Sequence, residues 1–244
     1  MVWIPQPTDK PSEVLRSAVD DTHAERYEDA LQKFLWFYEA SRSEFGLGGV
    51  RLPFALGYWL ELAAKYPPAM NAISNLRDEM EQQCRDNHGD YASFRDASAL
   101  NGYLDDDRRT INLFLDIAKE YPDNAKQIYH VAERLLVADG KYQQCAPFLD
   151  YATTIESAIS SYKILLDLEE SWSGGDSAPP KTARRNFETE SATLIALLSL
   201  NDRRSEAELV RDRCFEVLDD AVFRYRLDLA LSGHFPDADD GIMP

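Results

Sequence analysis

Basic residues are scarce in this sequence of 244 residues, which has 26 lysines and arginines against 43 aspartates and glutamates and a formal net charge of −17. The imbalance is even along the chain, because residues 1–122 carry a net charge of −8 and residues 123–244 one of −9. Nucleic-acid binding requires a basic surface that neutralises phosphates. The composition therefore excludes a simple nucleic-acid-binding protein and predicts an acidic surface over the whole chain.

Cysteines and long apolar runs are also few. Cys84, Cys145 and Cys214 are an odd number, lie far apart and form no CxxC pair, which argues against the disulfide framework of a secreted domain. The longest strongly apolar stretch without a charge, residues 191–201, has about half the length of a membrane span. The first residues show no basic segment followed by an apolar one. We therefore predict a cytoplasmic protein that does not contact the membrane.

Sequence signatures of catalysis are missing as well. The sequence has no HExxH, no GxSxG, no GxxxxGK[ST] and no GxGxxG that follows a strand. Cys84 and His88 are spaced to share a helix face, but a metal site needs three or four ligands. The run Asp105, Asp106, Asp107 is better explained by the positive end of a helix, which attracts acids, than by metal binding. We predict no catalytic residue, no cofactor and no metal site.

What the sequence does contain is a helical period. A single apolar stripe with the spacing i, i+3, i+4, i+7 and i+8 comprises Ile128, Val131, Ala132, Leu135 and Leu136. Similar stripes occur within residues 111–118 and, at Leu218, Ala221, Val222, Tyr225 and Leu229, in the last helix, whereas the alternation typical of strands is absent. The pattern predicts an all-α fold of about ten helices: a short helix capped by Ser12, then 22–45, 52–65, 67–87, 91–101, 105–120, 122–138, 142–170, 182–200 and 203–231.

Glycine and proline residues mark where these helices end. Gly46, Gly48 and Gly49 end the long second helix, and residues 172–181 form the clearest loop, with two glycines and two prolines. We predict a single domain over residues 1–231, followed by a flexible tail at 232–244.

Residues 126–152 resemble a tetratricopeptide repeat. The residues that stand at the glycine, tyrosine, bulky and alanine positions of that repeat are Gly140, Tyr142, Leu149 and Ala152, and Cys145 stands at a further alanine position. A weaker copy of the Tyr-x-x-Ala element lies at residues 25–30, and residues 34–56 are similar to bacterial helical-repeat proteins. The resemblance implies an irregular tetratricopeptide-like stack of helix pairs.

Helical repeats hold their partners in a groove lined by the first helices of successive pairs. In the register of the resemblance, three side chains of one such helix project into this groove; the alternative is an ordinary solvated face. Adjacent large rings cannot all face the core, which leaves some as interface anchors unless both sides of the helix are buried. With an acidic contribution from the aspartate run, the predicted partner-binding residues are Trp36, Tyr58, Asp105, Asp106, Asp107, Gln127, His130 and Arg134.

These features favour a protein-binding module whose binding face is acidic and carries a few aromatic anchors. The most specific version of this hypothesis is a bacterial immunity protein that neutralises a basic, nuclease-like toxin. Electrostatic attraction would steer an acidic inhibitor to such an enzyme and speed their association. One alternative is a helical enzyme with carboxylates or a metal in a deep pocket, where pKa values would be shifted. Another is a scaffold that associates only with itself through an apolar interface.

Overall fold

The computed structural model describes residues 3–42, 55–172 and 182–236. In these residues it contains twelve α-helices and no strand, and helices that follow one another in the chain pack together, which is compatible with a helical-repeat fold. The all-α prediction is confirmed. The helices are α1 (Pro11–His23), α2 (Tyr27–Ala40), α3 (Leu56–Ala63), α4 (Pro67–Asp86), α5 (Tyr91–Tyr103), α6 (Asp107–Glu120), α7 (Pro122–Ala138), α8 (Tyr142–Cys145), α9 (Tyr151–Glu170), α10 (Thr182–Leu200), α11 (Arg204–Phe215) and α12 (Ala221–Leu231).

The chain divides into two compact units, Met1–Leu135 and Leu136–Pro244. In the first unit the most extensive helix contacts join α1 to α2 and α4 to α5. In the second unit α10 is central: it packs against α9, α11 and α12, and residues 194–198 are all buried. Each unit therefore has its own apolar core. The prediction of one domain over residues 1–231 stays a prediction.

One turn geometry closes five helix junctions. Each turn has a residue in the left-handed region, with φ between 55° and 71°, and these residues are Glu25, His88, Asp105, Gly140 and Asp202. The amide of the next residue donates to the carbonyl five residues before it, over 2.7 to 2.9 Å in all five turns. This is the hydrogen bond of the Schellman motif, which satisfies a free carbonyl at a helix end and reverses the chain within a few residues.

A small side chain is buried five positions after each left-handed residue. The five residues are at most 4% exposed, and they are Ala30, Ser93, Thr110, Cys145 and Ala207. Small side chains at this point let the returning helix approach the preceding one closely. The similarity between residues 25–30 and 140–145 is therefore a structural equivalence.

The turn at Glu25 also corrects the predicted helix at 22–45. A helix needs negative φ throughout, so the left-handed Glu25 separates α1 from α2, and α1 is longer than predicted. Its N-cap is Lys10 with Pro11 in the first turn, and Ser12 does not cap it.

Two other predicted helices are interrupted. The predicted helix 142–170 ends first at Cys145, because Pro147 has no amide hydrogen to continue it; a 3₁₀ turn follows at Ala146–Phe148, and α9 begins at Tyr151. The predicted helix 203–231 breaks between α11 and α12. These breaks give twelve helices rather than about ten. They also end the tetratricopeptide match, since Ala152 is exposed at the start of a new helix.

The predicted apolar face of the last helix is wrong. Val222 and Tyr225 are 58% and 65% exposed, whereas Phe223 and Leu227 are buried. The reason is the new start at Asp220, whose carboxylate accepts from the amides of Val222 and Phe223 and sets the rotation of α12. The Phe223 ring then lies 5.7 Å from that of Phe187 on α10.

Some predictions fall outside the described residues. These are the break at Gly46, Gly48 and Gly49, most of the loop 172–181 and the tail beyond residue 236. The described part of the tail makes one ring contact, because Phe235 stacks on Tyr142 with centroids 5.0 Å apart.

The left-handed turns predict opposite effects of one substitution at two glycines. Gly140→Ala should lower the free energy of unfolding by about 1 kcal/mol, because a Cβ at φ +71° is strained even though it meets no neighbour within 4 Å. Gly57→Ala, inside helix α3 and equally open, should raise it by about 0.5 kcal/mol. Urea denaturation followed by circular dichroism measures both. Equal effects at the two positions would contradict the assigned turn.

The three cysteines predict how the folded chain reacts with thiol reagents. None of the three forms a disulfide and all are buried, and burial raises the pKa of Cys84 to about 12 and that of Cys214 to about 11. Because the thiolate is the reactive form, folded protein at pH 8 should resist labelling until urea unfolds it. Single-cysteine variants then report each unit separately, Cys84 the first and Cys214 the second. Rapid labelling in buffer would contradict the described cores.

Candidate partner-binding groove

Helices α5 and α7 border an open cavity of about 320 Å³ in the first unit. Residues from both helices and from the start of α6 line it. We call it the α5/α7 groove, and its lining residues are Ser98, Ala99, Gly102, Tyr103, Asp107, Val131, Arg134 and Leu135. A groove of this size admits a few side chains of a partner.

Small residues of α5 leave the room for this groove. Asp90 starts the helix, since its carboxylate accepts from the amides of Ala92 (3.0 Å) and Ser93 (3.1 Å). Toward the other end the groove face of α5 carries Ser98, Ala99 and Gly102. A Cβ added at Gly102 would lie 3.6 Å from Oδ1 of Asp107, an ordinary contact. The groove is therefore open because of side-chain size, and backbone strain plays no part.

A buried polar cluster holds α5 against α4 and α6. Arg109 on α6 donates to both carboxylate oxygens of Glu81 on α4, over 2.9 and 2.8 Å. The Asn101 amide of α5 donates to Glu81 and to the Thr110 hydroxyl, over 3.1 Å each. Asn101 and Thr110 are fully buried. Hydrogen-bonded charges in such a site fix helix positions, because breaking one leaves its partner unsatisfied.

Aromatic and cationic side chains continue the groove beyond the cavity. Tyr91 at the start of α5 stacks on His130 of α7, with ring centroids 5.5 Å apart and planes at 27°. The Arg95 guanidinium lies 5.8 Å from the Tyr91 centroid, within the range of a cation–π contact. Tyr91 remains 41% exposed, so an incoming side chain can reach this row.

The charge of the groove differs from the expected acidic face. Arg95 and Arg134 are basic, and Asp107 is the acidic residue of the lining. Arg134 is exposed and makes no ion pair within the described residues. Arg95 pairs with the buried Asp96 over 3.6 Å, and its Nε is buried. The groove therefore presents the donors of Arg134, while most of the acidity of the chain lies elsewhere on its surface.

The groove brings together three of the predicted binding residues. Asp107 and Arg134 line the cavity, and His130 stacks beside it. Gln127 lies on the same face of α7 one turn before His130 and is exposed. Asp105 and Asp106 are in the turn before α6; Asp105 is left-handed, and the Asp106 side chain makes no capping hydrogen bond.

The two predicted aromatic anchors do not line this groove. Trp36 is half-buried and packs edge-on against Trp3, with centroids 6.0 Å apart. Tyr58 is 39% exposed, while its neighbour Trp59 is buried. One ring of the Tyr58–Trp59 pair is exposed and the other is buried, whereas in the other set Phe37 and Tyr38 are both buried beside the half-buried Trp36.

A second cavity of about 440 Å³ lies against α1 and α2, and Trp3 is one of its lining residues. Its charges already satisfy one another. Asp21 is buried and accepts from Arg26, and its other oxygen accepts from Lys33 over 2.5 Å; Lys33 also donates to the Ser17 hydroxyl over 2.8 Å. This network joins α1 to α2, and its role is structural.

Sequence reasoning missed Tyr91, Arg95 and Tyr103 in the groove. They lie on α5, where small residues interrupt the apolar stripe. Tyr91 and Arg95 are four positions apart, the spacing of one helix face, and this is the signal that points to them.

Comparison with known proteins found no matching family model, no matching curated protein and no matching solved structure. The compatibility of this chain with a helical-repeat fold therefore rests on its own helix packing and turns. Within the described ranges no three His, Cys, Asp or Glu side chains are grouped to hold a metal, and no helix there is long and apolar enough to cross a bilayer.

The cluster around Glu81 predicts loss of stability in acid. Burial alone would raise the pKa of Glu81, but the hydrogen bonds from Arg109 and Asn101 outweigh it and lower the pKa. A carboxyl group whose pKa is lower in the folded than in the unfolded state stabilises the fold at pH values above the unfolded pKa of about 4.3. This stabilisation is lost as the pH falls through the pKa of the folded state. The first unit should therefore lose stability below about pH 4.

Glu81→Gln tests this assignment. It should lower the free energy of unfolding at pH 7 by about 2 kcal/mol and flatten its dependence on pH between about 5 and 3. Glu79→Gln, on the exposed side of the same helix, is the matched control and should do neither. Urea titrations with Cys84 labelling give both quantities. A Glu81→Gln variant as stable as the parent would show that the cluster does not hold the helices.

Proposed function

We propose that this protein is a partner-binding helical module and that the α5/α7 groove is its binding face. The observation that carries the proposal is the row of exposed Tyr91, His130 and Arg134 beside an open cavity between two helices. Tyrosine and arginine are the residue types most often found as interface anchors. A rigid helical base holds them in place without a partner, which reduces the ordering cost of binding.

The donors of the groove define what a partner brings to it. The exposed guanidinium of Arg134 favours a hydrogen-bond acceptor, such as a peptide carbonyl or a carboxylate. Tyr91 and His130 favour a flat or apolar side chain stacked on their rings. A segment of protein chain with both kinds of group fits the groove.

The sharper proposal is that the partner is a basic toxin domain and that this chain is its immunity protein. The net charge of −17 supports it, because long-range attraction accelerates association with a basic protein. In this form the acidic surface steers the partner, and the groove supplies the short-range contacts.

The experiment begins with affinity capture from the native host at low and high salt, followed by mass spectrometry. The expected result is one stoichiometric basic protein that is released by salt and inhibits growth when produced alone. Recovery of this chain alone would contradict the proposal.

Groove variants then test the site with that purified partner. Gly102→Phe fills the cavity, and Arg134→Glu replaces a donor with an acid; each should weaken binding about tenfold or more. Gly102→Ala is the matched control, since its Cβ makes only an ordinary contact, and it should bind like the parent. Isothermal titration at two salt concentrations measures these affinities. Parent-like binding by Gly102→Phe would move the interface away from the groove.

A further inference from the structure

No side chain in the second half of α9 is fully buried. The buried residues of this helix, all in its first half, are Ile155, Ala158 and Ile159. From residue 160 to residue 172 every residue is exposed or half-buried. Three large apolar side chains of this segment are 62%, 59% and 50% exposed, and we call them the α9 ridge: Ile164, Leu168 and Trp172.

The ridge lies on one side of the segment, away from α10. The inner side is marked by Tyr162, which stacks on Phe187 of α10 at 5.0 Å, and by Glu169, whose carboxylate accepts from the amides at the start of α10. At about 100° per residue, Ile164 and Leu168 lie more than a quarter-turn from that side. Ile164 and Leu168 are one turn apart on this outer side, and Trp172 comes two residues after the helix ends at Glu170.

The first half of the same outer face is polar. Ser157 and Ser161 precede Ile164 and Leu168 along one helical row, and both serines are exposed. The face changes from hydroxyls to branched aliphatic side chains within one turn. Single exposed apolar residues are common on proteins, but three large ones within nine residues form a patch of the kind that meets a partner.

Acidic side chains lie along one edge of the ridge. Asp167 and Glu170 are exposed and make no ion pair within the described residues, while Lys163 is the one cation between residues 160 and 172. Glu169 is already engaged at the start of α10. At about 100° per residue, Asp167 and Glu170 lie on the same side of the ridge, with Lys163 between them. The complement of this surface is an apolar stripe with lysines or arginines along one side.

We propose that the α9 ridge docks a basic amphipathic helix of a partner protein. Ile164 and Leu168 lie about 6 Å apart along the helix axis at 1.5 Å per residue, and Trp172 extends the ridge beyond the helix end, which suits about two turns of such a helix. A second copy fits less well, because each chain carries −17 and its acidic edge would repel its equivalent. The proposal rests on the partner-binding function for its biological role, but its test uses neither the native partner nor the groove.

The probe is a synthetic leucine–lysine peptide that is amphipathic as a helix. Fluorescence anisotropy of the labelled peptide gives its affinity, and the emission of Trp172 should shift to the blue when the ridge is covered. Ile164→Ser with Leu168→Ser should weaken binding about tenfold or more. Asp167→Lys with Glu170→Lys should weaken it about threefold and reduce its salt dependence.

Matched controls distinguish binding at the ridge from nonspecific hydrophobic or electrostatic binding elsewhere on the protein. Val222→Ser with Tyr225→Ser removes an equally exposed apolar pair of the same unit and should leave the affinity unchanged. A peptide of the same composition, scrambled so that it has no apolar face, should not shift the Trp172 emission. Trp172→Phe should abolish the shift, because the other tryptophans, at positions 3, 36 and 59, lie in the first unit. Circular dichroism and Cys214 protection confirm that the variants are folded.

Each other outcome overturns the proposal. Parent-like affinity in the Ile164→Ser, Leu168→Ser variant would show that the peptide binds elsewhere. Concentration-dependent dimers in sedimentation, lost in the same variant, would assign the ridge to a second copy. Gly102→Phe should bind the peptide normally, so failure of the groove and failure of the ridge are separate results.

Discussion

The hydrogen bond that closes each left-handed turn is the constraint on which the other features depend. It joins the amide after the turn residue to a carbonyl five residues earlier, and it recurs at five helix junctions. A turn this short forces the next helix back along the previous one, and the small residue five positions later, as at Ala30 and Thr110, allows close contact. Helix pairs follow from this geometry. Apolar burial then stabilises them, because most of the stability of a helix in a protein comes from its packing.

The groove is a consequence of the same geometry in the first unit. The turn at Asp105 folds α6 against α5, and the cluster of Glu81, Asn101 and Arg109 holds this pair to α4. With α6 fixed, its neighbour α7 stacks His130 on Tyr91 and borders the cavity. The proposed binding face is therefore built by residues that do not themselves contact a partner. The second unit offers a surface of another kind, since the α9 ridge is apolar and has acids along one edge.

Much of the fold could be predicted from the sequence because helical periodicity, glycine and proline are local signals. Pro67 and Pro122 begin α4 and α7 as their positions indicate. The missed boundaries have other causes: Glu25 is left-handed without being glycine, and the new start at Asp220 rotates the face of α12. The groove was predicted in part, because Gln127, His130 and Arg134 follow one helical row. Tyr91 and Arg95 come from another helix, and no local pattern pairs them with His130.

Amide hydrogen exchange at the five turns tests the account most directly. The donors are the amides of Arg26, Gly89, Asp106, Lys141 and Arg203, which lie between helices, where an irregular connection would exchange freely. The account predicts that all five are protected to an extent similar to the helix interiors beside them. Exchange of these amides at the rate of unstructured chain, next to protected helices, would contradict the shared turn and with it the packing that forms the groove.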